Sequence, residues 1–214
     1  MKTILTILVA IIIIAIVITG VKKSEDLPQP TVEVATTTNQ ITDGAYTVSS
    51  STLIWSGKKT LVTGYVDSGV VTLKSGEFTV NNGSIASGTL VVDMNSISVK
   101  GTGRGDDESL LEKHLKSKDF FNSSSFSTST LIIKRSEGNV IYGDLIVKGI
   151  TKPVQFPADI SVENSMVKIK GVMTVDRTEY DIRYGSNKFF DNLANNVIDD
   201  LFTIEFELVG VKKE

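Results

Sequence analysis

The stretch GDLIVKGITKPVQFP, Gly143 to Pro157, decides how this chain folds. Leu145 and Val147, then Val154 and Phe156, recur at every second residue, the period of strands with one buried face. Between them lies Lys148-Gly149-Ile150-Thr151-Lys152-Pro153. Gly149 lets the backbone bend where a side chain would resist. Pro153 has no N–H to give to a ladder, which confines it to an edge strand or to the first residue of a strand. The stretch reads as a strand, a tight corner and a second strand that Pro153 starts. Two walls meeting at such a corner must enclose something.

The same period extends in both directions. Leu53 and Trp55 alternate, as do Val71 and Leu73; Phe78 and Val80 follow Lys74-Ser75-Gly76, read as a turn. Asn81-Asn82-Gly83 is a hairpin signal, and a run from Gly88 to Ile97 follows it. Leu131 and Ile133 precede the turn Ser136-Glu137-Gly138-Asn139, Met173 and Val175 follow Gly171, and Phe202, Ile204, Phe206 and Leu208 close the chain. Short strands separated by Gly and Asn turns predict an all-β antiparallel sandwich or barrel. Two segments break the pattern. Asp106–Lys118 carries Leu110, Leu111 and Leu115 near helical spacing, with acids first and lysines last, which suits a helix dipole. Ser186–Asn195 reads as a short helical or irregular turn.

The N-terminus is of another kind. Thr3 to Val21 is an apolar run of nineteen residues, about 28 Å long as a helix, close to the hydrocarbon thickness of a bilayer. Residues 1–21 are expected to be a signal anchor or a signal peptide. The anchor is favoured, because the apolar run is long and Ala15-Ile16-Val17 and Ile18-Thr19-Gly20 match a cleavage site poorly. Residues 22–42, with Pro28, Pro30 and Thr36-Thr37-Thr38, read as a flexible linker. Lys2 lies on one side of the run and Lys22 and Lys23 on the other, so the charges assign no orientation. Residues 43–210 form the expected domain and 211–214 a tail. The reading places the domain outside the cytoplasm, in the periplasm or on the extracellular face of the membrane.

Charge and composition exclude several classes. The chain has 22 basic and 25 acidic residues and no Cys. Without Lys2, Lys22 and Lys23 the balance is 19 against 25, a net charge of −6, which argues against nucleic acid as a partner. The missing Cys excludes disulfides, thiolate metal sites and a lipidated N-terminal cysteine. His114 is the sole His; a Ser-His-Asp mechanism would need it, and no metal-ligand spacing surrounds it. No catalytic residue and no metal are therefore expected, and the chain is read as a non-enzyme. Arg104-Gly105-Asp106 and the glycosylation-type triplets at Asn82 and Asn122 are read as ordinary turn sequence.

Four segments occur in order: VVDMNSI (Val91–Ile97), HLKSKDFF (His114–Phe121), GDLIVKGITKPVQFP and VDRTEYDIRYGS (Val175–Ser186). Together with the terminal IDDLFTIEFELVG (Ile198–Gly210) they closely resemble the YceI-like family across the exported domain. The resemblance implies a lipocalin-like antiparallel β-barrel whose apolar lumen holds a long polyisoprenoid, such as the tail of an isoprenoid quinone. It implies no other cofactor. One departure is plain: where the family often carries His-x-Gly near the second strand, this chain has Asp67-Ser68-Gly69, so any head-group role of that His is absent or altered.

The residues expected to face the lumen are Leu53, Trp55, Val71, Leu73, Phe78, Leu90, Val92, Met94, Leu131, Ile133, Leu145, Val147, Met173, Val175, Phe202, Ile204 and Phe206. Asp93, which interrupts the alternation around it, together with His114, Arg177 and Tyr184, are candidate polar contacts to a head group. The same apolar positions would fill a solid core in a small barrel, so a packed structural or interaction module stands as the alternative to a lipid carrier. An enzyme acting on lipid or envelope polymer is a third reading, with His114 as its base. The sequence leaves the oligomeric state open, a homodimer included.

Overall fold

The period-two segments become eight strands, each paired antiparallel with the next. The computed structural model describes residues 41–103, 105 and 107–214. The strands are β1 (Gly44–Lys58), β2 (Val66–Asn81), β3 (Ser84–Gly101), β4 (Thr128–Glu137), β5 (Val140–Val147), β6 (Ile150–Glu163), β7 (Met166–Asp176) and β8 (Leu201–Lys212). They close into a barrel in sequence order, because β1 pairs with both β2 and β8. Closure gives every strand a partner on both sides over part of its length, and the barrel closes without any residue before Gly44. β8 runs to Lys212, so Val211 and Lys212 belong to the sheet and not to a tail.

The two ends of the barrel differ. At one end every link between consecutive strands is a two-residue turn: Asn82-Gly83, Gly138-Asn139 and Asn164-Ser165. Asn82, Gly83, Asn164 and Ser165 all have positive φ, the backbone that tight hairpins require. At the other end lie the long connections. Residues 102–127 include helix α1 (Glu108–Lys116), whose N-cap Asp107 accepts a hydrogen bond from Ser109 N at 2.8 Å. Residues 177–200 join β7 to β8 through two single-turn 3₁₀ helices, the second, Ala194–Asn196, at the end of the expected irregular segment.

The opening stretch forms the hairpin β5–β6. Its turn is Lys148-Gly149, with φ of 50° and 76°, between paired Val147 and Ile150. Pro153 does not start a strand, contrary to expectation; it sits inside β6, opposite Asp144. Counting from the closing pair, Asp144 and Pro153 face each other at a position that exchanges no backbone hydrogen bonds with β5, so the missing N–H would point away from β5. β7 pairs with β6 only from Ala158 onward, so no ladder bond is lost. Lys74-Ser75-Gly76 is likewise not a turn. β2 continues through it with a register shift between Leu73 and Ser75, a bulge in an unbroken strand.

Among the described residues no helix is long and apolar enough to cross a membrane. The apolar run Thr3–Val21 and the linker up to residue 40 lie outside the described residues.

Candidate functional site

Alternation sends one side chain in two from each strand into the barrel. At the hairpin end these side chains meet and close the floor. Tyr46 and Phe78 stack with ring centroids 5.1 Å apart and planes within 2°, packed with Val80, Ile85 and Leu208, all at most 2% exposed. Gly210 makes room for the stack: a Cβ there would lie 2.4 Å from Phe78 Cζ.

Above the floor the interior is not filled. A cavity of about 450 Å³ runs from Ile169, Phe156 and Phe206 up to Lys58, Tyr184, Asn196 and Asp199, within the roughly 300–1,000 Å³ of small-molecule sites. Leu90, Met94, Leu131, Leu145 and Met173 keep 7–9% exposure while the floor residues keep 0–2%. That residual exposure in the middle of a closed barrel is the surface of a lumen, so the solid-barrel alternative does not describe this interior.

All but one of the expected lumen residues line this cavity: Leu53, Trp55, Val71, Leu73, Leu90, Val92, Met94, Leu131, Ile133, Leu145, Val147, Met173, Val175, Phe202, Ile204 and Phe206. The exception is Phe78, which points inward but belongs to the floor. Period-two alternation assigns a side chain to a face, not to a depth along the axis. The lining residues that the reading missed come from the strands, Ile97, Ile141, Phe156, Ile169 and Leu208 among them, and from the lid. Leu111 and Leu115 on α1, and Phe120 and Phe121 just after it, cover the lumen from above. Their helical spacing was visible in the sequence, but the face they cover was not. Ile141 was reachable, since it lies two and four positions before Gly143 and Leu145 on the same face of β5.

The polar candidates part company. Asp93 does not reach the lumen. Its Oδ1 accepts from Asn95 N at 2.9 Å, its carbonyl accepts from Ser96 Oγ at 2.6 Å, and Thr72 N donates to the same Ser96 Oγ at 2.8 Å. It shapes a bulge where β2 and β3 slip register between Val70 and Thr72. Arg177 lies at the lumen wall but is 1% exposed and committed to the backbone. Its Nε donates to Asp199 O at 3.0 Å, Nη1 to Ile182 O at 2.8 Å and Nη2 to Ile198 O at 3.1 Å, with Asp200 Oδ1 at 3.5 Å. Burial pushes the guanidinium's pKa down, against the pull of Asp200, Asp176 and Asp199. Arg177 thus pins the β7–β8 connection over the barrel end.

His114 and Tyr184 come together at the mouth. Their rings meet edge to face at 4.4 Å, and Phe120 approaches the imidazole from another side at 5.5 Å. Tyr184 is half-exposed, while His114 Nε2 is buried and has no hydrogen-bond partner. Burial holds the imidazole below its ordinary range, against a smaller upward pull from Asp119. Asp67, in place of the expected His, also lines the mouth and accepts from Gly103 N at 3.0 Å, tying the end of β3 to the start of β2. Leu110, Phe189 and Phe190 are exposed on the two long connections at this end. Among the described residues no group of three or more His, Cys, Asp or Glu could hold a metal ion.

The model of the YceI-like domain matches residues 45–210, from the second residue of β1 to the glycine that receives the Phe78 stack. The chain belongs to the YceI-like family. Among its YceI-like relatives, a UPF0312 protein of Photorhabdus laumondii is 43% identical over 56 residues, covering 24% of this chain and 29% of the relative. A UPF0312 protein of Staphylococcus aureus is 29% identical over 112 residues, 49% of this chain and 61% of the relative. This chain thus matches less than two thirds of either relative's length. Two solved structures share the fold. The polyisoprenoid binding domain from Saccharophagus degradans has a TM-score of 0.60 at 13% identity, over 80% of this chain and all of that one. Burkholderia cenocepacia BcnA has a TM-score of 0.54 at 19% identity, over 75% of this chain and 96% of that one.

Proposed function

We propose that this YceI-like barrel is a non-enzymatic carrier that holds a long isoprenoid or similar apolar chain in its lumen. It is held at the outer face of the cytoplasmic membrane by residues 3–21. The observation that carries the reading is the apolar cavity, closed by stacked rings at one end and lidded by α1 at the other. Transfer of each buried CH₂ contributes about 0.8 kcal/mol, so one five-carbon isoprene unit contributes roughly 4 kcal/mol before the costs of association. A lumen with few polar groups can bind such a chain tightly. The linker of residues 22–42 would keep the barrel near its lipid supply and raise the effective concentration of both.

Trp55 is the sole tryptophan of the chain and lines the lumen, so its fluorescence reads occupancy. The barrel of residues 41–214, stripped of lipid and titrated with decylubiquinone, should show saturable quenching of Trp55. Quenching no greater than that of free tryptophan at the same quinone concentration would refute the carrier reading.

A further inference from the structure

A lumen that takes an apolar chain still has to fix which end of the chain stays at the mouth. Most charged groups there are already engaged. Arg177 is bound to three carbonyls, Lys58 pairs with Asp199 at 3.3 Å, and the Lys59 ammonium sits 4.6 Å from the centre of the Tyr65 ring. His114 Nε2 is different. Among the described residues it is the sole buried side-chain nitrogen or oxygen without a hydrogen-bond partner, and its residue lines the cavity beneath the lid. Phe120 and Tyr184 hold the ring from two sides. A buried polar atom left unpaired is costly, and native structures rarely retain one without a reason. A ligand atom that hydrogen-bonds to Nε2 would remove that cost.

Resting on the carrier reading, we infer that His114 Nε2 is the head-group contact. The ligand lies with its tail toward the Tyr46–Phe78 floor and a single uncharged carbonyl or hydroxyl at the mouth. The imidazole can donate to a carbonyl or accept from a hydroxyl, according to its tautomer. An anionic head has no free cation to meet among the groups just named, and the carboxylates of Asp107 and Asp199 line the same opening. Burial disfavours the imidazolium that would otherwise supply a positive charge.

The test uses the lipid-stripped barrel of residues 41–214 and three probes of one chain length: farnesol, farnesyl monophosphate and the hydrocarbon farnesane. Binding is read by Trp55 fluorescence and calorimetry. The wild type should bind farnesol more tightly than either of the others. His114→Phe should weaken farnesol about five-fold, the range of one neutral hydrogen bond, and leave farnesane unchanged. Farnesane binding thereby serves as the internal check that the variant is folded. His114→Gln, which keeps a donor and an acceptor, should recover part of the farnesol preference. A farnesol-to-farnesane ratio unaffected by His114→Phe, or tightest binding of the phosphate, would overturn the head-group assignment while leaving the carrier reading intact. A wild type that takes up none of the three would overturn both.

Discussion

Leu131→Trp separates an open lumen from a packed one in a single variant. Leu131 stands mid-barrel, paired with Leu90 on β3 and Leu145 on β5. All three keep 7–9% exposure toward the cavity. A larger ring at this position enters about 450 Å³ of existing space, so it displaces no neighbour. The account therefore predicts an unchanged or slightly raised Tm, because filling a cavity is commonly stabilising. In a solid core the same change would cost about 1–3 kcal/mol by overpacking. At roughly 2–4 °C per kcal/mol for a domain of this size, that is a fall of about 2–12 °C. Binding should respond in the opposite sense. The indole occupies space that the chain would use, and losing even half of one isoprene unit's roughly 4 kcal/mol removes more than a factor of about ten in affinity. The assay pairs thermal unfolding by circular dichroism with calorimetric titration of farnesol. A Tm lowered by several degrees together with undiminished binding would refute the reasoning, because it would mean that the interior is packed and the ligand sits elsewhere.

Other consequences follow from the floor, the connection over the mouth and the lone histidine. Gly210→Ala should destabilise the barrel by about 1–3 kcal/mol in chemical denaturation, because its Cβ would fall 2.4 Å from Phe78 Cζ and the ring is held by its stack on Tyr46; farnesol binding to the folded fraction should be unaffected. Arg177→Met should lose about 3–5 kcal/mol, measured as a lowered denaturation midpoint, since it strips three buried or part-buried carbonyls of their donor at about 1–3 kcal/mol each, while Asp200 keeps its ion pair with Lys188 at 3.2 Å. Burial lowers the folded-state pKa of His114, so the unfolded chain binds the proton more readily. Its contribution is therefore fully present above the unfolded value of about 6.5 and is lost as pH falls from there through the folded-state value. His114→Phe should flatten that part of the stability–pH curve, and an identical slope in both proteins would contradict it.

The wall of the barrel was legible because a closed sheet with a lumen repeats one simple rule on every strand. Leu90, Val92 and Met94, or Phe202, Ile204 and Phe206, declare their face by spacing alone. Depth was not legible, which is why Phe78 was assigned to the lumen when it belongs to the floor. Pro153 misled for a related reason. Its missing N–H excludes a position bonded on both sides, but the sequence does not reveal that β7 leaves β6 at Ala158 and frees that side. Asp93 broke a pattern and invited a functional role; the cause was local, a bulge closed by Asn95 and Ser96. Arg177, in the polar run Asp176-Arg177-Thr178-Glu179, and His114, between Lys113 and Leu115, were equal candidates in the sequence. Only the folded chain distinguishes an arginine committed to carbonyls 5 to 22 residues away in sequence from a histidine left unpaired.

The most direct test of the carrier account is native mass spectrometry of the barrel isolated from its own membrane fraction without delipidation, followed by organic extraction of what it holds. The account predicts a bound species built of isoprene units with an uncharged head, released on unfolding and depleted in the Leu131→Trp variant. An empty barrel that also takes up no added farnesol or decylubiquinone would contradict it.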